Sequence, residues 1–154
     1  MSRISRVTTN NGDHGETSLA TGRKIAKTEP IIRALGSTDE LNSCIGLLNY
    51  YLNETDNYAE ASLSLAEVQQ SLFDIGAILA MEGQYEAKNL STAIETMTET
   101  IASLNGSLPP LAEFVVPGGN LLSSQSHICR TIARRAETDL WVIFENKDAS
   151  NPIS

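Results

Sequence analysis

The sequence has few aromatic residues, few cysteines and no long apolar segment. Aromatic residues make up 5% of its 154 positions while hydrophobic residues make up 41%, which favours helices packed through aliphatic side chains. No apolar run approaches the roughly 20 residues that cross a bilayer, and residues 1–7 lack the apolar core of a signal peptide. We therefore expect a cytoplasmic protein that does not bind membranes, folded as a single domain over residues 1–154.

Residue types that bind metals or nucleic acids are also sparse. Cys44 and Cys129 lack Cys-x-x-Cys spacing, and neither His14 nor His127 has a carboxylate cluster at ligand spacing. We therefore expect reduced, buried thiols and no protein-bound transition metal. Lys and Arg number 11 against 19 Asp and Glu, giving a net charge of −8, which repels a phosphate backbone and disfavours nucleic-acid binding. A small anionic ligand requires only a local cationic site.

Residues 1–36 are rich in Gly, Thr, Ser and Asn and show no helical or strand period, which predicts a long N-terminal loop. Within it, the segment from Thr9 to Thr17 alternates glycines with hydroxyl and acidic side chains. Glycines allow backbone N–H groups to approach a polyphosphate closely. The segment lacks the Gly-Lys-Ser/Thr ending of a Walker A loop. Taken alone, it fits a nucleotide site and a plain flexible loop equally well.

Periodic apolar residues predict helices across residues 37–150. The segment Ser37-Thr-Asp-Glu40 has the form of a capping box, which predicts a helix start at Ser37. The pair Asn105-Gly106 predicts a left-handed helix stop. The four expected helices are Ser37 to about Asn53, about Tyr58 to Glu82, a third that carries Ile94 to Leu104, and roughly Asn120 to Glu145. Short connections between antiparallel helices predict an all-α, up-and-down helical bundle without strands.

The fourth predicted helix carries a polar stripe. At 100° per residue, one side of it holds His127, Arg130, Arg134, Glu137 and Trp141. Two arginines one turn apart form a cationic edge suited to phosphate oxygens or to an acidic partner. For the stripe taken alone, a solvated helix face with an i,i+3 ion pair is the more ordinary interpretation. A purely structural bundle subunit that meets an acidic partner therefore remains open at this point.

Several segments in a fixed order carry a family resemblance. They are Thr9 to Thr17, Lys27-Thr-Glu-Pro30, Ala34 to Ser43, Gln69 to Gly76, Phe114-Val-Val-Pro-Gly-Gly119, and His127-Ile-Cys-Arg-Thr-Ile-Ala-Arg-Arg-Ala-Glu137. Together they resemble the ATP:cob(I)alamin adenosyltransferases that form trimers of helical bundles, over nearly the whole chain. The resemblance implies transfer of the 5′-deoxyadenosyl group of ATP to Co(I) of a corrinoid, with release of triphosphate. It also implies a homotrimer with its sites at subunit interfaces, and a separate reductase that supplies Co(I).

The same resemblance implies roles for individual residues in binding ATP. The N-terminal loop would wrap the triphosphate and its Mg²⁺ ion, and three cationic side chains would neutralise the charge that gathers on the leaving group. Glu137 would hold the nucleotide or its metal. The implied ATP-binding residues are Thr9, Gly12, Asp13, Gly15, Thr17, Lys27, Arg130, Arg134 and Glu137.

Three residues are implied to act at the reacting centre: Arg130, Asp39 and Phe114. Asp39 would pair with Arg130 across the subunit contact, although an acid near a helix N-terminus is also favoured by the helix dipole. Phe114 would crowd the lower face of the corrin and keep its axial base away, which eases reduction to Co(I). The alternative is a core phenylalanine that anchors the Pro-Gly-Gly turn.

The sequence departs from the family pattern at its C-terminus, at Asn10, and at Ile31 and Thr138, which stand where the family often has arginine. The family continues into another helix with an Asn-Arg-Leu-Ser-Asp run, whereas this sequence ends at Asn151-Pro-Ile-Ser154. Asn10 stands where the family loop has a lysine. We therefore expect a five-helix, ferritin-like type of bundle that lacks its last helix. The alternative function is an inactive or weakly active paralogue that binds ATP and corrinoid.

Overall fold

The computed structural model describes residues 8, 10 and 12–145, and this part of the chain forms a β-hairpin followed by four α-helices. The strands β1 (Glu16–Ser18) and β2 (Lys24–Ala26) pair antiparallel. The helices are α1 (Pro30–Asn53), α2 (Ala59–Ala80), α3 (Leu90–Gly106) and α4 (Leu121–Glu145). The helical-bundle fold class is confirmed. None of the helices in the described ranges is long and apolar enough to cross a membrane.

Helix α1 begins at Pro30 rather than at Ser37, so the predicted capping box and the boundary at residue 37 are wrong. Proline suits the first helical position because the N–H it lacks has no partner there. Ser37 is buried inside the helix, and its hydroxyl donates a hydrogen bond to the carbonyl oxygen of Ala34 at 3.2 Å. That bond to the preceding turn replaces the expected cap.

The predicted N-terminal loop contains the hairpin, which the sequence did not reveal. Leu19 and Ile25 are buried, and Gly22 adopts a left-handed φ of 86° in the turn. The turn is closed by the Leu19 N–H, which donates to the Arg23 carbonyl oxygen at 2.9 Å. Strands of three residues are too short for an alternating pattern to stand out. The expectation of an all-helical chain with no strands is therefore wrong in this segment.

Helices α1, α2 and α4 enclose the core. Helix α1 packs against both α2 and α4, and α4 begins as predicted, because the Asn120 side chain caps it by accepting the Ser123 N–H at 2.8 Å. One buried cluster comprises Leu41, Ile45, Leu48, Leu52, Cys129 and Ala136, and a second comprises Ala34, Leu79 and Ile143. The second cluster places the start of α1 beside the C-terminal ends of α2 and α4.

Helix α3 contributes little to this core. It has no buried residue, and Ile94, Ile101 and Leu104 are 60–66% exposed. Among the described elements, α3 packs only against α2. Gly106 is the last residue of the helix, and the capping residue Ser107 has right-handed geometry, so the predicted left-handed stop at Asn105-Gly106 is wrong.

Candidate active site

The N-terminal loop folds around Lys27, which follows β2. The Lys27 ammonium group donates a hydrogen bond to the Gly12 carbonyl oxygen at 2.7 Å, and the Lys27 N–H donates to the Gly15 carbonyl oxygen at 2.8 Å. Gly15 has a left-handed φ of 81°, which favours glycine. A Cβ atom on Gly12 would lie 2.7 Å from the Lys27 nitrogen. Glycine at position 12 therefore permits the lysine to reach the loop.

The other loop residues expected to bind ATP surround this contact. Asp13 is exposed, and Thr17 is half-buried within β1. Thr9 lies outside the described residues. The structure thus brings Lys27 close to Gly12, Asp13 and Gly15, so that an ammonium group, a carboxylate and backbone amides lie near one another. Such groups suit a metal-bound polyphosphate.

The cationic edge lies on the exposed side of α4. Arg134 and Glu137 form an ion pair with 3.7 Å between the Arg134 Nη1 and Glu137 Oε2 atoms, and their side chains are 73% and 57% exposed. Arg130 is also exposed, and it has no hydrogen bond or ion pair with any residue that the structure describes. Its guanidinium group is therefore available to an anionic ligand or to another protomer.

One chain does not bring the loop and this edge together. The Arg33 Nε atom lies 2.8 Å from the Asp139 Oδ1 atom, which places the start of α1 beside the C-terminal part of α4. At 1.5 Å per residue, Arg130 lies about 14 Å along the helix axis from Asp139. Among the described elements, neither strand of the hairpin contacts α4. The expected ATP-binding residues therefore form two separate groups in the single chain.

Asp39 and Arg130 are not paired within the described chain. Asp39 is exposed on α1. The neighbouring residue Glu40 instead forms an ion pair with Arg135 of α4. Glu40, and not Asp39, therefore makes the contact between α1 and α4, and the exposed Asp39 carboxylate faces outward.

Phe114 projects from the segment between α3 and α4 and is fully exposed, at 103% of its reference area. The alternative of a core phenylalanine is therefore wrong. The Pro-Gly-Gly turn is held by Ser123, whose hydroxyl donates to the Gly118 carbonyl oxygen at 2.7 Å. Gly119, with a left-handed φ of 100°, completes the turn. Phe114 thus presents an apolar ring to the surroundings of the chain.

An apolar groove of about 520 Å³ lies between α1, α2 and α4. Trp141 and Phe144 line it and meet edge to face, with 6.4 Å between ring centroids, while Glu137 contributes a carboxylate. Thr38 also lines the groove, and its buried hydroxyl oxygen has no hydrogen-bond partner among the described residues. Phe114 is not part of this lining.

The sequence and the fold agree with one family. The cobalamin adenosyltransferase family model matches residues 7–154. The chain belongs to the cobalamin adenosyltransferase family. A cobalamin adenosyltransferase from Cupriavidus metallidurans is 41% identical over 138 residues, covering 90% of this chain and 72% of the relative. A corrinoid adenosyltransferase from Mycobacterium leprae is 35% identical over 150 residues, covering 92% of this chain and 77% of the relative.

Solved structures of adenosyltransferases share the fold. One is a variant PduO-type ATP:corrinoid adenosyltransferase from Lactobacillus reuteri, complexed with cobalamin and ATP. It has a TM-score of 0.80 and 28% identity, covering 96% of this chain and 81% of that chain. Another variant, complexed with ATP, has a TM-score of 0.78 and 30% identity, covering 96% of this chain and 83% of that chain. The family resemblance found in the sequence is confirmed.

The two thiols of this adenosyltransferase family member lie together in the core. The Cys44 and Cys129 Sγ atoms are 3.2 Å apart, and the Gln125 amide donates to the Cys44 Sγ atom at 3.1 Å. Burial, together with the hydrogen bond to Cys44, raises the pKa of Cys129 to about 12. Within the described residues, no group of three His, Cys, Asp or Glu side chains is arranged to hold a metal ion. Cys44 and Cys129 are both free thiols.

Three interactions that shape the site region were not predicted from the sequence. Two join α1 to α4, through Arg33 with Asp139 and through Glu40 with Arg135. The third joins the hairpin to Glu82 at the end of α2. Each of these interactions connects residues that are far apart in the chain, so no local sequence pattern predicts it. The only local signal at Glu82 is the glycine that follows it.

Proposed function

We propose that this protein transfers the 5′-deoxyadenosyl group of ATP to Co(I) of a corrinoid. The Co(I) electron pair attacks the 5′ carbon of ATP, a cobalt–carbon bond forms, and the carbon–oxygen bond breaks as triphosphate leaves with its electron pair. No protein nucleophile is required, so catalysis depends on positioning and on stabilising charge. Family membership supports this activity, and the relatives and structural neighbours give no support to the inactive paralogue.

The observation that carries the proposal is the exposed pair of arginines on α4. As the bond to C5′ breaks, negative charge accumulates on the triphosphate, and Arg130 and Arg134 offer fixed positive charge to it. Arg130 has no competing partner in the described chain, and the Arg134 pair with Glu137 is long, at 3.7 Å. Neither guanidinium therefore gives up a strong interaction to meet the phosphates.

The N-terminal loop supplies the other half of the proposed ATP site. Gly12 and Gly15 would offer backbone amides to the triphosphate, and Lys27 would exchange its bond to the Gly12 carbonyl for a phosphate oxygen. Thr9 and Thr17 would add hydroxyl groups. The exposed Asp13 carboxylate suits Mg²⁺, which prefers oxygen ligands and is usually held by one or two carboxylates plus substrate phosphates. Magnesium would neutralise part of the triphosphate charge.

The separation of these two groups supports a site shared between protomers. We infer a homo-oligomer, specifically a trimer, in which the loop of one protomer faces α4 of its neighbour. Asp39 of one protomer would then pair with Arg130 of the next and fix the guanidinium where ATP and corrinoid meet. In that assembly Glu137 would hold the nucleotide or its metal.

The exposed ring of Phe114 fits the proposed contact with the lower face of the corrin. A cobalt without its lower axial base is more easily reduced to the nucleophilic Co(I) state. The electron would come from a separate reductase, in the cytoplasm. Apolar neighbours at Val115 and Val116, which are 60% and 85% exposed, extend the same surface.

Substitution of Arg130 tests the proposed function. Arg130→Ala is expected to lower kcat/KM by at least about 100-fold, the usual effect of removing one group that stabilises transition-state charge. Its melting temperature should fall by no more than about 4 °C, because the side chain has no partner in the described chain and an exposed ion pair with Asp39 of another protomer contributes at most about 1 kcal/mol. The assay mixes protein, ATP, Mg²⁺ and chemically reduced cobalamin, and follows the visible spectrum of the adenosylated product.

Thr131→Ala is the matched control, since the exposed neighbouring residue belongs to the same helix but not to the proposed site. It should keep full activity. An Arg130→Ala protein as active as the control would contradict the assigned role of α4. With the unsubstituted protein, a spectral shift without product would indicate a binding protein, and no change would favour the structural subunit.

A further inference from the structure

Helix α2 ends in a Schellman motif in which glutamate occupies the left-handed position. The Gly83 N–H donates to the Ile78 carbonyl oxygen at 2.9 Å, and the Glu82 N–H donates to the Leu79 carbonyl oxygen at 3.1 Å. Glu82 has a φ of 52°. Glycine is the usual residue there, because other side chains are strained in this region. If the position served only to end the helix, glycine would serve it better.

The Glu82 side chain is fully engaged with the hairpin. The Thr21 hydroxyl donates to its Oε2 atom at 2.6 Å, and the Arg23 Nε atom donates to its Oε1 atom at 2.7 Å. The Glu82 side chain is only 10% exposed. A backbone bond adds to this contact, since the Ala20 N–H donates to the Ala80 carbonyl oxygen at 3.0 Å. We call the side-chain contact of Glu82 with Thr21 and Arg23 the hairpin clasp.

The clasp holds one end of the hairpin, and the proposed ATP loop lies at the other end. β1 follows directly from Gly15, and β2 leads directly into Lys27. Each strand has three residues, or about 10 Å of extended chain. The paired strands and the Lys27 bonds to Gly12 and Gly15 make this a short, cross-linked unit. Its position on the bundle therefore depends on how the turn is fixed to α2.

We propose that Glu82 is a positioning residue for ATP, which acts through Thr21 and Arg23 to hold the hairpin and its loop in place. This inference rests on the proposed function. Glu82 does not touch the substrate. Without the clasp the turn keeps the Ala20–Ala80 backbone bond and the burial of Leu19 and Ile25, but it loses its side-chain hydrogen bonds to α2. The loop amides and Lys27 then spend less time where the triphosphate binds. The effect is confined to ATP, because the corrinoid surface at Phe114 belongs to a different segment.

The test substitutes Glu82→Gly, which removes the clasp but supplies the residue that the helix end prefers. We expect the ATP dissociation constant, measured by calorimetric titration, and the KM for ATP to rise at least 10-fold. The KM for cobalamin should change less than twofold, and the melting temperature should fall by no more than a few degrees. An unchanged ATP affinity, or an equal loss for both substrates, would overturn the proposal.

Thr21→Val weakens the clasp from the hairpin side and leaves the end of α2 untouched. It should raise the KM for ATP in the same selective way, by a smaller factor. Combining Thr21→Val with Glu82→Gly should add nothing to the effect of Glu82→Gly alone. Additive losses would show that the two residues act separately and would overturn the clasp. Product formation by the unsubstituted protein in the same assay tests the proposed function independently.

Discussion

Two arginines of equal exposure allow a sharp test of what stabilises the contact between α1 and α4. The side chains of Arg33 and Arg134 are each 73% exposed, but their carboxylate partners differ. Asp139 is 4% exposed and lies 2.8 Å from Arg33, whereas Glu137 is 57% exposed and lies 3.7 Å from Arg134. We predict that Arg33→Ala destabilises the fold far more than Arg134→Ala does.

The difference comes from the charge that each substitution leaves behind. Removing one partner of a buried ion pair costs about 3–5 kcal/mol, because the remaining charge is buried without compensation. Arg33 is largely exposed, so water screens part of this pair, and we expect a loss of about 2–3 kcal/mol for Arg33→Ala. An exposed i,i+3 pair contributes roughly 0–0.5 kcal/mol. At about 2–4 °C per kcal/mol, the melting temperature should fall by about 4–12 °C for Arg33→Ala and by less than about 2 °C for Arg134→Ala.

Urea unfolding and thermal melting, both at one protein concentration and without ATP, measure these losses. The double variant Arg33→Ala with Asp139→Asn provides the control, since it removes the stranded charge and should recover part of the stability. If the unfolding free energies of Arg33→Ala and Arg134→Ala agree within about 0.5 kcal/mol, the buried Asp139 carboxylate does not need Arg33 to compensate its charge, and the argument from burial is wrong.

Two further predictions concern packing and thiol chemistry. Phe114→Ala should change the unfolding free energy by less than about 0.5 kcal/mol, because its ring is exposed. Leu79 is 1% exposed, so Leu79→Ala should lower the unfolding free energy by about 2–5 kcal/mol. A comparable loss in both variants would contradict the exposed position of Phe114. Because the pKa of Cys129 is raised to about 12, only a ~10⁻⁴ fraction of its side chain is thiolate, the reactive form, at pH 8. Iodoacetamide should therefore label Cys129 only after unfolding, as measured by the mass of the peptide that contains it. The pKa of Cys129 is higher in the folded than in the unfolded state, so its contribution to stability is present below about pH 9 and is lost as the pH rises towards 12. Rapid labelling of Cys129 in the native protein would refute the raised pKa.

The sequence predicted the long helices best. Helices α2 and α4 show apolar residues over many turns, and Asn120 marks the start of α4 by its side chain. The start of α1 was mistaken because Ser37-Thr-Asp-Glu40 has a capping pattern, yet the same residues also continue a helix when Pro30 begins it. Only the tertiary packing that buries Ser37 decides between the two outcomes.

The candidate site was visible in the sequence only in parts. The glycine-containing loop and the arginines of α4 each have a local pattern, and the order of motifs pointed to their family. Their separation in the folded chain depends on the antiparallel packing of α1 and α4, which no single segment encodes. Glu82 was missed because its partners Thr21 and Arg23 are 61 and 59 positions away. A left-handed glutamate also carries no sequence signature of its own.

The exposed α3 makes the stability of this chain uneven. Global unfolding exposes the clusters shared by α1, α2 and α4, but opening α3 exposes no buried residue of that helix. In the isolated chain we therefore expect residues 90–106 to open as a separate cooperative unit at low free energy, so that in a hydrogen-exchange measurement their amide hydrogens exchange with solvent ahead of those in α1 and α4. The segment that carries Phe114 is thus anchored firmly on one side only, by the capped start of α4.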